Sequence, residues 1–324
     1  PVRLTHDGRM KFTPVFINGG EDLVFVEIED PRMFRLQRLQ LADGAVEPVH
    51  KTVSAQEFDP AYSADGKYYA YLKAVGTLSV GMVISSRTKS DEIQLAPGQG
   101  FSGYRSPAIA PDSSRVLFSF AEEGRQDIFA VDIKGKNRTA LTGGKGINIW
   151  PDFSPDGSQV VYAANRSLWL RPVEQLQAIQ VSGTETEARG PFFSADGQSI
   201  GFWAAGQLKK VSVSGGAPVV LADVSVNPSG ASWGADGMVL YGQPEGIMQV
   251  PGASGTPELL IPVAEGEFNY GPQMLPGGEW ALFTLRTAGS WDDKVYLFDK
   301  DSSTPLWSYD TEDYTVRSVS ISAD

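Results

Sequence analysis

Cysteine is absent from this 324-residue chain, and histidine occurs only twice, at His6 and His50. Without thiols there is no disulfide, no thiolate zinc site and no cysteine nucleophile. Two separated histidines, with no cysteine beside them, fall short of the convergent donors that a transition-metal site needs. A Ser–His–Asp triad would have to use one of them, yet no Gly-x-Ser-x-Gly elbow accompanies either. Basic residues are few and scattered: 27 Lys+Arg against 39 Asp+Glu leave a net charge of −12. Phosphate binding needs a basic surface, so this balance argues against a nucleic-acid partner. The acidity is read first as a solubility device, and second as attraction toward a basic or metal-bearing partner. No apolar run approaches the length of a membrane span, and no signal peptide is visible. Because it starts at Pro1 and not at Met, the chain reads as one that has lost a leader, tag or neighbouring domain. The glycine-rich Gly143-Gly144-Lys145-Gly146 lacks the Gly-x-x-x-x-Gly-Lys-Ser/Thr spacing of a phosphate cradle and is read as a connecting loop.

What the chain has in abundance is one turn, used eight times. Strand-like runs end at Asn18-Gly19-Gly20, Ala64-Asp65-Gly66, Pro111-Asp112-Ser113, Pro155-Asp156-Gly157, Ala195-Asp196-Gly197, Ala235-Asp236-Gly237, Pro276-Gly277-Gly278 and the terminal Ala323-Asp324. The position usually held by Asp recurs at 19, 65, 112, 156, 196, 236, 277 and 324, a period of 40 to 47 residues. Asp-Gly and Gly-Gly supply the positive φ that a tight hairpin needs. The recurring aspartates are therefore read as turn formers spaced around a ring, not as a carboxylate cluster. After most turns comes a nearly continuous apolar run, such as Val116-Leu117-Phe118-Ser119-Phe120 or Val160-Val161-Tyr162-Ala163-Ala164. A strand covered on both faces can dispense with alternation. A third strand and a short fourth one follow, the latter ending in segments such as Thr139–Thr142 and Pro218–Leu221. Four strands per period, in a period of this length, is the pattern of a propeller blade. The expectation is an all-β propeller of four-stranded antiparallel blades occupying residues 1–324 as a single domain.

Trp150-Pro151-Asp152-Phe153-Ser154-Pro155-Asp156-Gly157, with the apolar strand after it, resembles the repeat of TolB-type, WD-like bacterial β-propellers. The resemblance covers essentially the whole chain and is specific for the fold, while the same repeat serves scaffolds, receptors and domains attached to enzymes. It implies a periplasmic or otherwise extracytoplasmic bacterial protein. Within the chain, residues 1–163 look like ordinary TolB-type repeats. Residues 164–300 look like propellers attached to bacterial serine/threonine kinases, and the last stretch is closer to quinoprotein-like or WD-type repeats. Divergence within one gene accounts for this, as does assembly of blades from different parents. Propellers of this kind also precede the hydrolase domain of prolyl-oligopeptidase-like enzymes, and no such domain is part of this sequence.

Binding residues in propellers usually come from the loops that enter the first strand of each blade, around the tunnel mouth. Here these include Glu57, Phe58 and Asp59; Tyr104 and Arg105; Asn148, Trp150 and Asp152; Arg189; Asn227; and Glu267, Phe268, Asn269 and Tyr270. Aromatic and polar side chains mixed in this way suit a peptide, a sugar or a protein loop. The alternative is that the aromatics pack between blades while the polar groups satisfy backbone. Asp59 and Asp152 both lie beside a proline in a first strand and are taken as equivalent, able to hold a hard cation such as calcium in the channel. No catalytic set is expected. Seven periods fit between Lys11 and Tyr309, leaving Pro1–Thr5 and Thr315–Ser322 as a spare fourth and a spare first strand. Seven blades with overhanging ends is the preferred reading, and the chain is then a monomer. The alternative is an eighth, incomplete blade, which a second chain would complete in a dimer.

Overall fold

The computed structural model of the protein describes residues 11–321 except 19–20, 31–32, 64, 77–78, 99–101, 123, 144–146, 176, 227, 229, 275–279, 288–292, 300–303 and 311–319. Among the described residues every regular element is a β-strand. Seven antiparallel units of four strands follow one another along the chain. Their first strands are Lys11–Ile17, Glu57–Tyr62, Gly103–Ile109, Ile149–Phe153, Arg189–Phe193, Ala231–Trp233 and Glu267–Met274. We number these units sheets 1 to 7. One parallel bridge, Val80 with Gly103, joins sheets 2 and 3. The protein is an all-β propeller, as the repeat implied.

The repeated turn works through its serine and aspartate together. In sheet 4 the Ser154 hydroxyl donates to Asp156 Oδ1 (2.6 Å) and accepts from the Gln159 amide (2.9 Å), and Asp156 Oδ1 also accepts from the Ser158 amide (3.0 Å). The same bonds recur at Ser63 and Asp65 and at Ser194 and Asp196. This is the side-chain closure that favours Asp at such positions. These hydrogen bonds hold the Asp156 and Asp196 carboxyls below their ordinary pKa. The turns also touch one another around the ring: Ser113 Oγ donates to Asp65 Oδ1 at 3.1 Å, linking sheet 3 to sheet 2.

The core is not inside any sheet but between consecutive ones. Val161 and Leu168 of sheet 4 pack with Ile200 and Phe202 of sheet 5. Val24 and Val26 of sheet 1 pack with Tyr69 and Tyr71 of sheet 2, and Leu240 and Ile247 of sheet 6 with Ala281 and Phe283 of sheet 7. The second strand is buried on both faces, which is why Val160–Ala164 shows no polar alternation. Each large side chain buried this way contributes about 1.5–3 kcal/mol, so a lone sheet, exposing both faces, would lose most of its stabilisation.

Two strand expectations are corrected. The fourth strand of sheet 3 is only Thr139–Ala140, because Leu141 turns into the core and the Thr142 hydroxyl leaves the ladder to accept the Ile128 amide at 2.9 Å. Of the spare strand at Thr315–Ser322, Ser320–Ile321 is described, and it adds in parallel to Val15 and Phe16 on the free edge of the first strand of sheet 1. Pro1–Thr5 and Asn227 lie outside the described residues.

Candidate functional site

In an up-and-down sheet, the start of the first strand, the link between second and third strands, and the end of the fourth all lie at one end. The Asp-Gly turns lie at the other. The candidate residues therefore gather on the face opposite the repeated turns. Most belong to strands, not loops: Phe58 and Asp59 to Glu57–Tyr62, Tyr104 and Arg105 to Gly103–Ile109, Trp150 and Asp152 to Ile149–Phe153, Arg189 to Arg189–Phe193, and Asn269 and Tyr270 to Glu267–Met274. Only Asn148 precedes its strand.

A shared irregularity positions them. Each of these first strands carries a proline (Pro60, Pro107, Pro151, Pro191 and Pro272), and each breaks register there against the second strand. Proline donates no ladder bond, so it is tolerated where the strand edge faces the tunnel. The residue before it is left-handed in four cases: Asp59 (φ 47°), Ser106 (48°), Gly190 (53°) and Gly271 (56°). At Gly190 nothing larger fits, since a Cβ there would meet the Trp203 ring at 2.2 Å.

The register sorts the candidates into layers. Three residues before the proline stand Glu57, Tyr104, Asn148 and Asn269, and all four are buried. Asn148 Nδ2 donates to Gln126 O (3.1 Å) and Asp127 Oδ1 (3.0 Å), and Asn269 Nδ2 donates to Gln243 O (2.6 Å). The Tyr104 hydroxyl donates to Ala96 O at 3.3 Å, and its ring joins Phe118, Phe120 and Phe129 around the Arg138 guanidinium, which sits 4.2 Å from the Phe129 centroid. These side chains tie each first strand to the preceding sheet. Two residues before the proline stand Phe58, Arg105 and Arg189. Both arginines are exposed, while Phe58 packs against the cores on both sides of sheet 2. Only the backbone of Trp150 and Tyr270 is described.

Asp59 and Asp152 are not equivalent. Asp59 is the left-handed residue before Pro60, whereas Asp152 follows Pro151, where Ser232 stands in sheet 6. Burial raises the pKa of Asp59, and the Arg105 guanidinium of the next sheet pulls it back down. Asp152 Oδ2 accepts the Phe193 amide of sheet 5 at 3.4 Å, just as Ser232 Oγ accepts the Met274 amide of sheet 7 at 3.0 Å. Burial pushes the Asp152 carboxyl up to about 6. One is a strained residue at the tunnel mouth, the other a strap between sheets, and sheet 3 separates them. Among the described residues no three His, Cys, Asp or Glu side chains converge as metal donors.

One constellation was missed in the sequence. His50 Nδ1 is 2.8 Å from Glu57 Oε2 and Nε2 is 2.9 Å from the Tyr69 hydroxyl, while the Tyr71 hydroxyl donates to Glu92 Oε1 at 3.2 Å. The imidazole packs against the Tyr69 and Tyr71 rings. A carboxylate-held imidazole can act as a base only if its other nitrogen faces substrate. Here that nitrogen is occupied by Tyr69, so the chain serves as a polar lock between sheets 1 and 2. The signal was the short spacing from His50 to Glu57, legible only once the loop between them is known to fold back.

On the same face, Val226, Gly242–Pro244 of sheet 6 and the segment Val263–Asn269 that leads into sheet 7 line a cleft of about 480 Å³. Val226 and Phe268 line it and are 49% and 50% exposed. Asn269 lies in its wall.

The chain matches the TolB beta propeller domain family over residues 20–269. It is 28% identical over 115 residues to the Protein TolB homolog of Chlorobium chlorochromatii (strain CaD3), a stretch covering 33% of this chain and 23% of that protein. A solved prolyl endopeptidase superposes with a TM-score of 0.71 at 14% identity, over 93% of this chain and 50% of that one. An oligogalacturonate lyase from Vibrio parahaemolyticus superposes with a TM-score of 0.63 at 13% identity, over 87% and 89%. The chain thus spans about half the length of the endopeptidase. At such identities the structural likeness establishes the fold alone. The fold and the tunnel-face bulges define a β-propeller. Within that class, the chain belongs to the TolB beta propeller domain family.

Proposed function

We propose that the chain is a non-catalytic propeller, a wheel of seven blades that binds a protein or peptide at its tunnel face. The layering of that face carries this reading. Beneath it Glu57 Oε2 and the Nδ2 groups of Asn148 and Asn269 already bond to protein, so these side chains hold shape. Above them the face offers exposed Arg105 and Arg189 together with exposed Ile147, Val226 and Phe268. Apolar anchors beside arginines are the composition of a recognition surface. Its family relationship to TolB homologues supports a bacterial, extracytoplasmic setting. Hydroxyl-radical footprinting of the chain with a captured partner tests the reading. Protection is expected at Ile147, Arg189, Val226 or Phe268, and protection confined to the Asp-Gly turns on the opposite face would refute it.

A second reading has one observation behind it, the prolyl endopeptidase likeness. The chain would then be the gating or sensing wheel of a larger enzyme, with Asp59 and Arg105 at the gate. A hydrolase or kinase in the same reading frame would decide for it.

A further inference from the structure

The cleft between sheets 6 and 7 differs in character from the rest of the tunnel face. Its described lining is apolar where it is open, with Val226 and Phe268 about half exposed. Single exposed apolar residues are ordinary, but two flanking one concave space are not. Among the described residues lining the cleft, the charged groups are all of one sign. Glu265 and Glu267 line it, exposed Glu245 adjoins its Pro244, and no lysine or arginine is among the described lining residues. Glu267 is fixed in place, its Oε2 accepting the Ala264 amide at 2.7 Å. The floor is rigid too, because Gln243 bonds to Ser225 and Val226 on one side and accepts from Asn269 on the other.

From this geometry we infer that the cleft is a docking site for an extended peptide segment of a partner protein that places an apolar side chain against Phe268 and Val226 and carries lysine or arginine on either side of it. An apolar pocket with a carboxylate rim attracts cations while desolvating what lies between them, which selects basic–apolar–basic segments over acidic or uncharged ones. The net charge of −12 steers the same partners toward the protein at long range. The inference rests on the peptide-binding reading above and goes beyond it in naming the place and the partner's chemistry.

The test uses a phage-displayed library of random dodecapeptides selected on the full chain, followed by fluorescence anisotropy of the enriched peptides. The expected winners carry net positive charge and a leucine or aromatic residue. Their affinity should fall about tenfold or more with Phe268→Ala or Val226→Lys, fall severalfold with Glu245→Lys combined with Glu265→Lys, and weaken with added salt. Both apolar positions are half exposed, so thermal melting should confirm that these variants fold. Enriched peptides that ignore Phe268→Ala but lose binding with Arg105→Glu or Arg189→Glu would overturn the cleft and leave the tunnel-face reading standing. Failure to enrich any peptide would remove both. Light scattering that shows a dimer abolished by Phe268→Ala would assign the cleft to a second copy of the chain and overturn the peptide inference.

Discussion

Asp152→Asn should make this protein more stable at neutral pH, which is an unusual expectation for removing a charge that accepts a hydrogen bond. The carboxyl belongs to the first strand of sheet 4 and faces the Phe193 amide of sheet 5 across the sheet junction. Burial raises its pKa from 3.8 to about 6, the amides of Phe193 and Phe153 offsetting only part of that rise. A carboxyl with a raised folded value holds its proton longer in the folded state than in the unfolded one. Stability therefore falls as pH rises from near the unfolded value through the folded one, and the penalty stays constant above it. The gap between 3.8 and about 6 corresponds to about 3 kcal/mol at full burial. Asp152 is half-buried, so screening by solvent brings this down to about 1–2 kcal/mol. Asparagine has the same shape, carries no charge and keeps an oxygen for the Phe193 amide. Urea unfolding of both proteins should show Asp152→Asn more stable by about that amount near pH 7.5, with the difference vanishing near pH 4, where the native carboxyl is already protonated. If the variant is less stable at neutral pH, the strap works as a charged hydrogen bond and the burial argument fails. If the gain persists unchanged at pH 4, it has another source.

The turn aspartates carry the opposite sign. Asp156 and Asp196 have depressed pKa values, so the stability they add is present above the unfolded carboxylate value and is lost as pH falls through their folded values. Replacing both with Asn should flatten acid unfolding below about pH 4, read by circular dichroism. Gly190→Ala forces a side chain into left-handed backbone and onto Trp203, and should cost about 2–4 kcal/mol by urea unfolding, whereas Ser106→Gly at the matching place should be neutral or stabilising. Glu57→Gln in the His50 lock should cost about 1–3 kcal/mol and speed amide exchange in sheets 1 and 2 before the other sheets.

Much of the fold was legible because its period is written in local chemistry. A tight turn needs residues that tolerate positive φ and a side chain that closes it, so Ser154, Asp156 and Gly157 announce it wherever they recur. Lost alternation in Val160–Ala164 likewise reports burial on both faces. The candidate site was legible only as a region. Sequence offered Asn148, Asn269 and Tyr104 as tunnel-mouth candidates, and the structure buries all three and bonds them to the preceding sheet. It also paired Asp59 with Asp152, because both adjoin a proline. The chain order itself puts Asp59 before Pro60 and Asp152 after Pro151, and the fold gives them different neighbours, Arg105 for one and the Phe193 amide for the other.

His50 marks the same boundary. Its isolation in the sequence argued against catalysis, and nothing local pointed to Tyr69 or Glu92 as its companions. Sequence alone determined the repeated unit, its strands and the face on which the first strands begin, since each depends on residues only a few positions apart. The tertiary structure decided which side chains are spent on joining sheets and which remain exposed, as Phe268 and Val226 do at the cleft. That division depends on contacts between sheets whose residues lie a full repeat apart, and neighbouring positions along the chain carry no record of it.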